Sequence, residues 1–102
     1  IQNIYAQSRS SDAPLHVGSV KTNLGHSEPT SGLCSLLKVL LCMQHRQWVP
    51  TLHYKTPNPS AAMDAKALRV VTSLQTWPES EANNIAAINA FGFGGSNAHV
   101  LL

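Results

Sequence analysis

Between Thr30 and His45 the residues Leu33, Leu36, Leu37, Leu40 and Leu41 recur at helical spacing, which predicts one long helix there. Cys34, Val39, Cys42 and Met43 add apolar groups to its other faces, so the helix is expected to be buried on several sides. Ser27 or Glu28 is placed to cap it, with Pro29 tolerated in the first turn. Before it, Ile1 to Ala6 reads as the end of a helix, followed by the polar linker SRSSDAP with Pro14 as breaker. Leu15 to Val20 is a short strand candidate, and KTNLGHSEP (21–29) reads as a loop. After the helix, Trp48 to Ser60 holds Pro50, Pro57 and Pro59 and is expected to cross the molecule as extended, irregular chain. Leu68 to Val71 is a short strand, closed by Trp77-Pro78. Asn84 to Ala90 alternates small and apolar residues, as a strand buried on both faces would. The glycine-rich turn FGFGGSN (91–97) joins it to a last strand, Ala98 to Leu102, making a hairpin. The order β, long α, β, β, β is an α/β arrangement with unpaired edges.

Composition changes one part of that picture. Charged residues make up 12% of the 102, against about 25% in ordinary globular chains. A free domain of this size buries only roughly 60–70% of its chain surface and needs charge on the rest. The shortage suggests that some of this surface is normally covered. A net charge of +2, with scattered Lys and Arg, is too slight for electrostatic capture of nucleic acid or an anionic membrane. Neither partner is expected. Leu33 to Met43 is well short of the ~20 apolar residues needed to span a bilayer, and no signal peptide is visible. A cytoplasmic setting is expected. Cys34 and Cys42 would lie about 12 Å apart along a helix, beyond disulfide reach, and read as inert core thiols.

Two segments carry candidate chemistry. In FGFGGSN, Gly92, Gly94 and Gly95 permit close backbone approach, and consecutive amides there can form an anion nest or an oxyanion hole. A hairpin bend that merely needs glycine would read the same way. Phe91 and Phe93 at the loop tip are harder to explain so, because loop tips are usually polar. His26 precedes a helix N-terminus, whose partial positive charge favours neutral imidazole. Such a ring can donate a hydrogen bond to a carbonyl becoming an enolate. Lys21 could reach the same pocket; a surface histidine and a solvated lysine are the plainer alternatives. His45 suits a helix C-terminus, and His16, His53 and His99 make no ligand-spaced pair, so no metal site is expected. The chain offers a polariser and an oxyanion loop but no nucleophile.

At these residues the chain resembles a family. GSVKTNLGHSEPTSG (18–32), PTLHYKTPNP (50–59) and NAFGFGGSNAHVLL (89–102) are together similar to the C-terminal half of a β-ketoacyl synthase. The type most resembled is the ketosynthase domain of type I polyketide synthases and animal-type fatty acid synthases. The resemblance covers essentially the whole chain, as a single piece of one domain over residues 1–102. It implies a thiolase-like fold: α/β, an αβαβα layered sandwich when complete, with this chain forming the C-terminal half only. It also implies an acyltransferase that performs decarboxylative Claisen condensation. An acyl group on a cysteine is joined to malonyl carried on the phosphopantetheine of an acyl carrier protein, with no cofactor bound covalently. By the same resemblance His26 stabilises the enolate, Lys21 assists, and the Phe93 amide shares the oxyanion hole while its ring gates the site. Phe91 lines that region, and Gly94 and Gly95 let the loop swing.

One departure matters. The family's nucleophilic cysteine and its first catalytic histidine, in H-G-T-G-T, belong upstream of Ile1. The chain is therefore expected to be a fragment, inactive alone, whose partners are the missing N-terminal half, a carrier protein and a second copy in a homodimer. The alternative is a truncated or nucleophile-lacking ketosynthase-like subunit serving acyl binding, chain-length control or dimerisation.

Overall fold

A computed structural model of the chain describes residues 1–59, 67–79 and 84–102. Elements follow one another as helix α1 (Gln2–Tyr5), strand β1 (Leu15–Val17), helix α2 (Lys21–Leu24), a 3-10 turn (Glu28–Thr30), helix α3 (Ser31–His45) and strand β2 (Gln47–Trp48). Strands β3 (Leu68–Val70), β4 (Gln75–Thr76), β5 (Ala87–Phe91) and β6 (Asn97–Leu101) complete the chain. The strands form three separate pairs. β1 and β3 run parallel, Leu15 opposite Leu68 and His16 opposite Arg69, which requires the crossover that α3 supplies. β2 and β4 are antiparallel, and β5 and β6 form the expected hairpin.

The leucine repeat forms its helix, and the last turn closes at Arg46 in the left-handed region, φ 53°. Neither expected cap forms at the start. Thr30 occupies the cap position without a side-chain bond, while the Ser27 hydroxyl donates to Cys34 Sγ at 3.5 Å. Pro29 starts a 3-10 turn instead, pushing the helix proper one residue later than Thr30. Lys21–Leu24, read as loop, is a single helical turn; Gly25 ends it at φ 77° with its N–H on Lys21 O at 2.9 Å. β5 starts at Ala87 rather than Asn84, and only Ile88 along it is buried. The expectation of burial on both faces fails because its one strand neighbour is an antiparallel β6 that is exposed throughout.

Ala6, Ala67 and Leu68 form a small core, with Leu15 and Val17 packed against it. α3 contributes no buried residue to it. It leans on β5, where a Cβ added to Gly32 would come within 3.0 Å of Ala90 Cβ. Its outward side, Leu33, Leu37, Leu40 and Leu41, is exposed, Leu33 by 67%. Beside that stripe lies an open groove of about 350 Å³, walled by Val20, Leu24, Cys34, Leu37, Leu41 and Cys42. Both cysteines are free thiols. No helix among the described residues is long and apolar enough to cross a membrane.

Candidate active site

His26 sits between two tight turns, after the glycine that ends α2 and before the 3-10 turn that leads into α3. Its Nδ1 accepts the Glu28 amide at 3.0 Å. A ring nitrogen that accepts carries no proton, so the imidazole is the Nε2–H tautomer. Nε2–H has no partner among the described residues, and the side chain is exposed. Nε2–H of His26 is therefore available as a donor, on a ring fixed from behind and open in front.

Lys21 opens α2, with its amide on Ser19 Oγ at 3.2 Å and its ammonium exposed and unpaired among the described residues. A second lysine, missed in the sequence, fixes this turn. Lys38 Nζ reaches from α3 to Ser19 O at 3.1 Å and Asn23 Oδ1 at 3.0 Å, and so straps α2 to the long helix. Burial lowers its pKa from the ordinary value, with Cys42 acting in the opposite sense. A lone lysine within the apolar run 33–43 was the available signal. Thr22 adds a further tie, its hydroxyl donating to Ser19 O and accepting the Leu52 amide from the proline-rich crossing.

The glycine-rich loop occupies 92–96, between the ends of β5 and β6. Gly92 N–H donates to Ser96 O at 2.7 Å and Gly95 N–H to Gly92 O at 3.0 Å. Two of its glycines are required by geometry. Gly95 takes φ 90°, and a Cβ on Gly92 would lie 2.8 Å from Ser96 O. Gly94 has neither constraint. Phe93 stands fully in solvent and Phe91 is 72% exposed. The Phe93 amide has no hydrogen-bond partner among the described residues. The loop thus presents a free N–H beside an uncovered aromatic ring.

No hydrogen bond joins His26, Lys21 and Phe93. The nearest structural link between the two loops is the packing of Gly32 on Ala90. The segment bearing His26 enters α3 just before Gly32, and the loop bearing Phe93 leaves β5 just after Ala90. Both therefore issue from one contact. A side-chain donor on one loop and an unpaired amide on the other are each groups of the kind that can stabilise an oxyanion.

Comparisons with known proteins place the chain in a family. Residues 1–55 match the family model of the beta-ketoacyl synthase C-terminal domain, and residues 57–102 that of the ketoacyl-synthetase C-terminal extension. A highly reducing polyketide synthase of Emericella nidulans is 47% identical over the whole chain, and the squalestatin tetraketide synthase of a Phoma species is 42% identical over 98% of it. The chain spans about 4% of the length of each of these curated relatives. Among solved structures, an oxazolomycin ketosynthase domain from Streptomyces albus superposes with a TM-score of 0.80 at 39% identity, covering 98% of this chain and 17% of that one. The module 6 ketosynthase of the Bacillus subtilis bacillaene synthase gives 0.78 at 39% identity, covering 84% and 16%.

Proposed function

Because this chain belongs to the β-ketoacyl synthase family, as the C-terminal part of its thiolase-like fold, we propose that it supplies half of a polyketide-type condensing site. The observation that carries this reading is the exposed His26 ring held at Nδ1 by the Glu28 amide, which leaves Nε2 to donate. In the proposed reaction an acyl group is first transferred from a carrier thioester to a cysteine thiolate on the other half of the domain. The Phe93 amide donates to the acyl oxygen as the tetrahedral intermediate forms. Malonyl on the phosphopantetheine of an acyl carrier protein then loses CO₂, and the electron pair of the broken C–C bond passes into the thioester carbonyl. His26 Nε2–H hydrogen-bonds the enolate oxygen, and Lys21 contributes positive charge nearby. The enolate carbon attacks the acyl carbonyl, the cysteine thiolate leaves, and a β-ketoacyl thioester remains on the carrier. In this reading Phe93 acts as the gate, Phe91 lines the site, and Gly94 and Gly95 allow the loop to move; the exposure of both rings leaves them free for these roles.

The exposed leucine stripe of α3 and the groove beside it support a further part of this reading: they seat the rest of the same domain. A carrier protein and a second copy in a homodimer complete the assembly. The test is His26→Ala in the intact synthase. Decarboxylation and condensation should both be abolished, while acylation of the cysteine continues. Condensation persisting near the wild-type rate would remove His26 from this role.

A further inference from the structure

We propose that Tyr5, His99 and Asn89 form a positioning network that sets the tilt of the glycine-rich loop; this rests on the reading that the Phe93 amide serves the acyl oxygen. His99 Nδ1 lies 2.8 Å from Asn89 Oδ1, and its Nε2 lies 2.7 Å from the Tyr5 hydroxyl. The polarity of the chain follows from the groups themselves. An amide oxygen only accepts, so Nδ1 carries the proton; in that tautomer Nε2 accepts and Tyr5 donates. Both ring nitrogens of His99 thereby have partners. The Tyr5 and His99 rings also approach, 5.8 Å between centres at 31°.

The location gives the network its consequence. Asn89 and His99 are register partners in the hairpin, two residues below the Phe91–Asn97 pair on which the loop stands. Successive strand residues point to opposite faces. Ala90, on one face of β5, meets Gly32 of α3, whereas Asn89, on the other, meets His99 and through it Tyr5 of α1. The hairpin is held from both faces. Among the described elements only α3 packs extensively on the hairpin, so losing the Tyr5 bond would leave the exposed β6 freer to pivot and carry the Phe93 amide with it. An oxyanion donor displaced by a fraction of an ångström loses much of its effect.

The intact synthase tests this with Tyr5→Phe, His99→Phe, His99→Gln and the Tyr5→Phe/His99→Phe pair, each assayed for acylation of the cysteine and, separately, for malonyl decarboxylation. Tyr5→Phe removes one oxygen atom and leaves the ring. It should lower the acylation kcat by about fivefold, the scale of one lost neutral hydrogen bond, with KM and decarboxylation unchanged. His99→Phe should match it, and the pair should be no slower than either single variant, because the residues act as one unit. His99→Gln keeps an acceptor for the Tyr5 hydroxyl and should recover most of the rate. Unchanged acylation in Tyr5→Phe, an equal fall in both reactions, multiplicative losses in the pair, or no recovery in His99→Gln would each overturn the network. A wild-type synthase that neither acylates nor decarboxylates would overturn the condensing reading as well, so the two failures are distinguishable.

Discussion

His16 lies flat on Trp48, 4.0 Å between ring centres, with Arg69 as its register partner in the parallel ladder. Burial lowers its pKa from the ordinary 6.5, and Arg69 and then Arg9 push in the same direction by repelling a proton. The sign of the pH effect follows. A histidine depressed in the folded state binds fewer protons than in the unfolded chain, so its contribution is intact above 6.5 and is lost as the pH falls from there through the folded value. Urea unfolding of the intact domain between about pH 7 and 5 should therefore show a loss of stability that His16→Gln reduces. Equal losses in both proteins would refute it. At this scale the sequence was informative where the constraint is local, as for the loop glycines, whose conformations the hairpin bend demands. The Glu28 amide on His26 Nδ1 was not foreseen, a helix N-terminus being expected to act there instead. The sequence was silent where the partner is remote. Nothing near His99 announces Tyr5, 94 positions away, and nothing near Lys38 announces Ser19.

Elements long enough to repeat a pattern were legible, and shorter ones were not. α3 shows its leucines over 15 residues, and the hairpin shows a glycine run between two apolar stretches. β2 and β4 have two residues each and carry no period, so their pairing, and the Trp48–Trp77 contact beside it at 5.6 Å, emerged only in three dimensions. α2 is one turn, decided by the left-handed Gly25 rather than by periodicity. The α3–β5 contact is the element-scale feature most open to test. Gly32 meets Ala90 with no room to spare, so Gly32→Val should overpack the junction and cost about 1–3 kcal/mol, measured as a lower urea midpoint for the intact domain. A midpoint at or above wild type would show that the helix and strand separate without penalty.

At the scale of the molecule, the shortage of charge has a structural counterpart. Among the described residues fifteen large hydrophobic ones are exposed, Ile4, Leu33, Leu37 and Phe91 included, while the core holds only six buried apolar residues. A surface of that kind exceeds what isolated domains ordinarily leave in water. Residues 1–102 produced alone should consequently aggregate or bind a hydrophobic dye, and should lack a sharp calorimetric transition. A soluble monomer with a reversible, cooperative melt would contradict the view that α3 and its groove are covered by the rest of the domain. The thiolase-like class was readable because its motifs fall on loops whose spacing is visible in the chain. The extent of the uncovered face was not, because burial belongs to the partner as much as to the residue.

The single bond from Tyr5 to His99 also bears on how the chain folds. α3 closes between neighbours in sequence and can form early. The β1–β3 pair must wait for the crossover to bring Leu68 back to Leu15, and the Tyr5–His99 bond closes a loop of nearly the whole chain. Contacts of such long sequence separation carry the greatest loop-closure entropy and form late. The hairpin therefore exists before its clamp does, and the alignment of the Phe93 amide is completed only when folding is almost finished. On the proposed reading the loop would reach its working tilt as a late folding event, distinguishable in time from the appearance of helix.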